Sequence, residues 1–366
     1  MSKVLIVFNH PAPYKVKLFN ELAKYIDLTV IFERDKASDR NKSFYEEKEY
    51  KFKLVKISGL KLGRENIISG GIIKHLKKNE YDLIIMNGYS QFAEMKTISY
   101  LVKHNTPYTL YINGGIVKTK ESKFKRKLKT KYISRANNYL SPDENSNHYL
   151  VYYGADKSKI YNYPYSTIYA EEILKSPVNQ EHKFELREET NIREEKVFVS
   201  CGQLIKRKNY LELIKKWQEV NPNYGLYIIG DGKEKQHLEN YIKENKIHNV
   251  HLLGYMKRKD LFNFYHLSDA FIFPSDEDIY GHVINEAMSQ GLPVISTPNV
   301  NASRKLIKDG YNGYIIQSLE NEGLSKAIDN IIKDNLSNNA LETARENTIE
   351  KMVEVHLDIL KRIETK

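Results

Sequence analysis

Ala270-Phe271-Ile272-Phe273-Pro274-Ser275-Asp276-Glu277-Asp278-Ile279-Tyr280-Gly281-His282-Val283-Ile284-Asn285-Glu286-Ala287-Met288 reads as an apolar strand over 270–273, an acidic loop, and a helix near 282–290 entered through a glycine. A strand feeding a helix is half of a βαβ unit, and the flanking sequence repeats the theme. Downstream lies the run Val294–Ser296. Upstream, helices near 258–267, 233–244 and 210–220 alternate with strands near 250–253, 226–229 and 197–201. A polar stretch from about Glu171 to Glu195 interrupts the pattern. Before it, strands near 3–8, 28–32, 82–86 and 108–112 alternate with helices near 14–25 and 91–103. The expected fold class is α/β, with two doubly wound domains in tandem. The tail from about Leu336 is helical throughout, with Ile349, Met352, Val353, Val355, His356, Ile359, Leu360 and Ile363 spaced for one buried face.

A chain of 366 residues, 41% hydrophobic and 28% charged, is neither disordered nor fibrous and has the length of about two domains. No window approaches the ~18 uninterrupted apolar residues that cross a bilayer. The opening apolar run breaks at Asn9-His10, too early for a signal peptide, so a cytoplasmic location is expected. The one cysteine, Cys201, excludes an internal disulfide framework and a multi-cysteine zinc site. The net charge of +10 is uneven: residues 1–170 hold 30 Lys and Arg against 16 Asp and Glu. Such a basic half attracts acidic polymers or an anionic membrane leaflet.

In open α/β sheets ligands bind beyond the carboxyl ends of the strands, which singles out three loops. After the strand at 270–273, Gly281 and the free amides of the helix start suit a phosphate. Asp278 and Glu286, eight positions apart, are placed to accept hydrogen bonds from vicinal sugar hydroxyls; an acidic loop that only caps its helix is the competing reading. After the strand at 197–201, Gly202-Gln203-Leu204-Ile205-Lys206-Arg207-Lys208 sets cations at a strand-to-helix turn, suited to a diphosphate or to solvent. In the first half, Asn113-Gly114-Gly115 allows close backbone approach or a plain turn.

These residues carry a resemblance. The Gly202–Lys208 run, Ile228-Ile229-Gly230-Asp231-Gly232, Leu253-Gly254-Tyr255, Ser268–Ser275, Tyr280–Met288, Gly291-Leu292-Pro293-Val294-Ile295 and Asn312-Gly313 resemble, in order and spacing, the retaining glycosyltransferases of family 4, of the bacterial surface-polysaccharide type. The likeness is dense over about 196–317 and thin over 1–165. It implies the GT-B fold: two Rossmann-like domains facing a central cleft, with a C-terminal helix crossing back to the first. The implied domains are 1–168 for the acceptor, 169–345 for the nucleotide sugar, and the crossing helix at 346–366.

Carried over, the family's paired glutamates fall on Asp278 and Glu286. The second usually meets the nucleotide ribose; the first, here shortened to Asp, usually contacts the transferred sugar. The diphosphate clamp falls on Gly202, Gln203 and Lys208, with Arg207 standing in for a missing arginine. The resemblance places Tyr280, Gly281, His282 and Val283 at the diphosphate and sugar, and Gly254, Tyr255 and Met256 at the base. A glycine-rich loop and a histidine of the family's first domain fall on Pro11-Ala12-Pro13-Tyr14 and on Asn113. The implied catalytic set is Asp278, Glu286, Lys208 and Asn113. Attack is expected on the face the diphosphate leaves, with that leaving group accepting the proton. No metal or resident cofactor is expected, the co-substrate being a UDP-linked sugar. The triplet Asp276-Glu277-Asp278 also spells the metal-binding Asp-x-Asp of another glycosyltransferase fold.

The stretch Lys118–Arg135 carries nine Lys and Arg and one acid, Glu121, with Phe124, Leu128 and Tyr132 at helical spacing. It reads as a helix lying on an anionic membrane surface, or as a solvated face whose narrow apolar stripe packs on its own sheet. His10, His104, His248 and His356 have no metal-ligand spacing, and Trp217 reads as core. The expected function is a retaining glycosyltransferase, peripheral on the inner face of the cytoplasmic membrane. It would extend a capsule, lipopolysaccharide or related glycan on a lipid-linked acceptor. A nucleotide-sugar 2-epimerase and a non-catalytic nucleotide or glycan binder are the alternatives; a nucleic-acid partner is not expected.

Overall fold

A computed structural model describes residues 1–36, 45, 49–57, 60–62, 66–68, 70–117, 120–319 and 322–365. The chain divides into two compact units, Met1–Tyr165 with Ile349–Lys366, and Ser166–Thr348.

The strands of the first unit are β1 (Lys3–Phe8), β2 (Asp27–Phe32), β3 (Lys53–Lys56), β4 (Leu60–Leu62), β5 (Asn66–Ile68), β6 (Leu83–Asn87), β7 (Thr109–Tyr111), β8 (Asn138–Ser141) and β9 (Ile160–Asn162). β4 and β5 form an antiparallel pair. The other seven make a parallel sheet in the order β3-β2-β1-β6-β7-β8-β9. β1 and β6 are buried along almost their whole length, as a sheet covered on both faces requires. The chain reverses its direction across the sheet between β1 and β6, which is therefore the switch point. The last helix, Ile349–Glu364, belongs to this unit and packs on the helix Pro13–Leu22. Its predicted stripe is buried at Ile349, Met352, Val353, His356, Ile359, Leu360 and Ile363; Val355, also expected there, is half-buried because it lies two positions from Val353 and so to one side of the inward face.

The second unit holds β10 (Lys196–Cys201), β11 (Tyr224–Ile229), β12 (Val250–Gly254), β13 (Ala270–Phe273), β14 (Val294–Ser296) and β15 (Gly313–Ile315). They form a parallel sheet in the order β12-β11-β10-β13-β14-β15, with its switch point between β10 and β13. Phe198, Leu213, Trp217, Leu226 and Ile272 centre its core, and Trp217 is fully buried with its Nε1–H donated to the Tyr224 carbonyl at 3.3 Å.

The alternation of the sequence survives, with corrections. The polar stretch 171–195 contains a helix, Gln180–Glu189. Its inward positions are Lys183 and Arg187, both buried, with their charges meeting protein acceptors. Lys183 Nζ donates to the Ser268 carbonyl at 2.5 Å, and Arg187 donates to the Leu267 carbonyl and to Asp269 at 2.6 Å. A hydrophobicity pattern cannot register a helix whose buried face is built from cations. The acidic loop leads into a shorter helix than expected, Val283–Ser289, of seven residues.

Candidate functional site

The loops after β10 and β13 flank the switch point of the second unit, and most of the expected site residues lie on them. Gly202 opens the first loop; its amide donates to the Ile229 carbonyl at 3.0 Å, and the Leu204 amide to the Asp231 carbonyl at 2.9 Å. The loop after β11 approaches so closely that a Cβ on Gly230 would stand 1.9 Å from the Gly202 carbonyl oxygen. Gln203 is half-buried, and Lys206–Lys208 make one 3₁₀ turn ended by Asn209 in the left-handed conformation.

That turn drives Lys208 inward. Its side chain is 6% exposed, lies 4.4 Å from the centre of the Phe273 ring, and donates to Asp278 Oδ2. Arg207 stays outside, with Nη1 donating to the Glu277 carbonyl at 2.7 Å and lying 3.9 Å from Asp278. The loop is pinned further by the Asp276 amide on the Arg207 carbonyl at 2.9 Å and by Asn209 Nδ2 on Asp276 Oδ1 at 2.9 Å. Burial works against the Asp278 carboxylate. The ammonium of Lys208, the Tyr280 amide and Arg207 outweigh it and hold the group below the usual carboxylate range. Asp278, expected at the transferred sugar, therefore first of all anchors Lys208.

Gly281 adopts φ +95°, and a Cβ there would stand 2.5 Å from Val300 Cγ1, so only glycine fits this turn. The Ile284 amide is taken by the Gly281 carbonyl and the Glu286 amide by that of His282. Among the described residues the amides of Gly281 and Val283 donate to no protein acceptor, so they remain for an anion. With only seven residues in the helix, these loop amides carry the site more than a helix dipole does.

Glu286 lies one turn further on, with a side chain 14% exposed. Its Oε1 accepts from Arg258 Nη1 at 2.9 Å and from Thr167 Oγ1 at 3.0 Å, leaving Oε2 for a ligand. Arg258 also donates Nε to Glu172 at 3.0 Å. Burial disfavours its charge, but Glu286 and Glu172 more than compensate and raise its pKa. Arg258 and Thr167 were not found by sequence reasoning. A signal existed for Arg258: it is the first residue of the helix Arg258–Leu267, where a cation opposes the helix dipole and calls for an outside carboxylate.

The remaining expected residues are dispersed. Gly254 ends β12, its carbonyl accepting the Gly230 amide at 2.8 Å, with Tyr255 exposed and Met256 half-buried beyond it. His282 precedes the short helix and packs on Tyr280 at 4.8 Å between ring centres. Asn113 belongs to the first unit, where it follows β7 and donates Nδ2 to Asn87 Oδ1 at 3.0 Å. Of the basic stretch, residues 118–119 lie outside the described residues; Lys123–Ile133 is a helix. Tyr132 is buried and Leu128 packs on the core of the sheet, whereas Phe124 is 76% exposed among exposed lysines. The stripe thus packs on its own sheet at Leu128 and Tyr132, while Phe124 one turn earlier stands outside that packing.

The family model for glycosyl transferases group 1 matches residues 182–351. The chain is similar to the lipopolysaccharide core biosynthesis glycosyltransferase LpsE of Rhizobium meliloti, 30% identical over 140 residues, which are 38% of this chain and 40% of that protein. It is also similar to a poly(glycerol-phosphate) alpha-glucosyltransferase of Bacillus subtilis, 30% identical over 37% of this chain and 20% of that one. These matches span less than half the length of the relatives. Among solved structures, Anabaena HepE in complex with UDP covers all of both chains with a TM-score of 0.80 at 18% identity. The lipopolysaccharide outer core galactosyltransferase WaaB covers 99% of both with a TM-score of 0.71 at 15% identity. The chain as a whole therefore has the GT-B fold, and the likeness to group 1 glycosyl transferases is carried by its second unit.

Proposed function

We propose that this protein is a retaining glycosyltransferase that moves a sugar from a UDP-sugar to a hydroxyl of a lipid-linked or surface-glycan acceptor. The observation that carries the reading is the switch point of the second unit: buried Lys208, the Gly281 and Val283 amides and Glu286 Oε2 converge there. That arrangement suits a nucleoside diphosphate, with cation and amides on the phosphates and a carboxylate oxygen for the ribose. HepE, of the same fold, has been solved with UDP and with UDP-glucose. Retention is the reading because both carboxylates of the site already have other roles, Asp278 on Lys208 and Glu286 with Oε1 on Arg258 and Oε2 assigned to the ribose, which leaves no carboxylate assigned as the base of an inverting attack. The leaving diphosphate then takes the acceptor proton, and Lys208 stabilises its charge. The acceptor is assigned to the first unit; its being a surface glycan is supported by the names of LpsE and WaaB, both lipopolysaccharide glycosyltransferases. Exposed Phe124, with Lys123, Lys125 and Lys127, is the proposed contact with an anionic membrane surface.

The test is a screen of UDP-, GDP- and other nucleotide sugars against the purified chain in EDTA, reading thermal stabilisation and donor hydrolysis. One donor that stabilises and is slowly hydrolysed is expected, with the sugar anomer unchanged in the product. Epimerised sugar released without an acceptor, or tight binding without turnover, overturns the reading.

A further inference from the structure

The second unit has a cavity of about 380 Å³ at the opposite end of its strands from the site above. Lys196 at the start of β10, Asp269 just before β13 and Pro293 just before β14 line it, so it opens at the amino ends of the same sheet. A volume of this size falls in the range of small-molecule sites, roughly 300–1,000 Å³.

Its electrostatics are one-sided. Asp269 is consumed by the protein: Oδ2 takes Arg187 Nη2 at 2.6 Å and the Val197 amide at 2.8 Å, and Oδ1 lies 3.6 Å from Lys183. Asp334 accepts the Tyr314 hydroxyl at 2.9 Å and keeps its charge, so the wall holds three cations, Lys183, Lys196 and Lys333, against two carboxylates. Lys196 and Lys333 also line the cavity, and neither has a carboxylate partner among the described residues. The neighbouring helix Ser337–Arg345 starts without a side-chain cap, and its first residues, Ser337 and Asn338, line the same space. Two ammonium groups without a carboxylate contact, beside uncapped amides, select a phosphate. The rest of the wall is unlike a bare anion site. It offers the side-chain amides of Gln180 and Asn335, which serve hydroxyl groups, and the Nδ2 of Asn179, whose Oδ1 caps the helix Gln180–Glu189, beside Pro177 and Ile331, which serve the apolar face of a ring.

We propose that this cavity is a second small-molecule site, separate from the donor site, and that it takes a phosphorylated hexose. The phosphate is held by Lys196 and Lys333, and the ring hydroxyls by the side-chain amides. β13 is only four residues long; one end carries Asp269 of the cavity wall and the other leads into the Pro274–Asp278 loop of the donor site. The proposal does not depend on the glycosyl transfer reading.

The experiment is calorimetric titration of the full chain with glucose 6-phosphate, glucose and inorganic phosphate, each with and without saturating UDP. Glucose 6-phosphate is expected to bind in both conditions and at least tenfold more tightly than either fragment. The double variant Lys196→Glu/Lys333→Glu is expected to lose this binding at least tenfold while keeping its response to UDP, and Lys208→Ala is expected to retain it. Competition by UDP, or loss in Lys208→Ala with retention in the double variant, moves the ligand to the donor site and overturns the proposal. So does inorganic phosphate binding as tightly as glucose 6-phosphate, or no binding at all.

Discussion

Lys208 is the residue on which the proposed chemistry turns. It is buried against Phe273 and shares its charge with Asp278, so Lys208→Ala removes the cation that meets the leaving diphosphate and strands a buried carboxylate. A loss of about 10²-fold or more in kcat is expected from the missing charge. A stability cost of about 3–5 kcal/mol is expected from the unpaired Asp278. Steady-state kinetics and denaturant melts separate the two. Glu286→Ala should raise the donor KM and leave Arg258 with Glu172 as its carboxylate partner, whereas Glu286→Gln should keep it better held; near-normal turnover in Glu286→Ala would remove this residue from the site. In the first unit, Glu33 follows β2 and Glu94 opens the helix after β6, 5% and 3% exposed. Burial pushes Glu33 up to about 7, against the pull of Arg34, and burial together with Glu33 pushes Glu94 well above the carboxylate range. A carboxyl raised on folding favours the native state at low pH, and that contribution is lost as pH rises through the folded value. Glu33→Gln should therefore gain Tm over the parent chain at pH 8 and little at pH 5, as differential scanning calorimetry would read. An equal effect at both pH values would mean that Glu33 is not buried as described.

At the scale of elements, the closeness of neighbouring loops sets what is tolerated. The turn after β11 approaches the end of β10 so nearly that Gly230→Ala places a methyl into the Gly202 carbonyl. A destabilisation of about 1–3 kcal/mol is expected, with loss of donor stabilisation because the Gly202 loop must shift. Chemical denaturation with and without UDP reads both, and an unchanged midpoint would contradict the packing. The last helix carries His356, 3% exposed against Tyr163 and Tyr111, with Nδ1 on the Met352 carbonyl at 2.6 Å. Burial, opposed by that carbonyl and aided by Lys15, lowers its pKa to about 3. The group must stay neutral in the folded state, so its contribution is present above about 6.5 and is lost as pH falls towards 3. His356→Leu should weaken the pH dependence of stability between 6.5 and 4, which acid titration of the fold by circular dichroism measures. The helices also show where pattern reading succeeds and fails. Ile349–Glu364 was visible because its buried face is aliphatic at helical spacing. Gln180–Glu189 was not, because Lys183 and Arg187 occupy its inward face.

Over the whole molecule, charge is partitioned by unit. Residues 1–165 together with 349–366 hold the excess of cations, 34 Lys and Arg against 20 Asp and Glu, while residues 166–348 are net acidic. Among the described residues no helix is long and apolar enough to cross a membrane. If the first unit meets lipid, it does so at the surface and by charge. Sedimentation with vesicles containing anionic lipid should therefore capture the chain in low salt and release it as ionic strength rises. Phe124→Ser should weaken capture at every salt concentration. Capture that ignores the anionic lipid fraction would sink the assignment.

The sequence alone determined the alternation of strand and helix, the two doubly wound domains and the glycine and cation loops that follow β10 and β13. All of these are local: a period of apolar residues, a glycine where a turn must be tight, and a few residues between strand and helix. Tertiary structure alone decided which strand ends are neighbours, because sheet order sets that and no local period encodes it. Setting β10 beside β13 brought Lys208 to Asp278 across 70 positions of chain. Folding likewise brought Arg258 and Thr167 to Glu286. The partners of these side chains follow from those meetings: Asp278 anchors Lys208, and Arg258 holds the Glu286 carboxylate. Charge pairs of this kind form where desolvation makes an unpaired group costly, and burial exists only once the chain has folded.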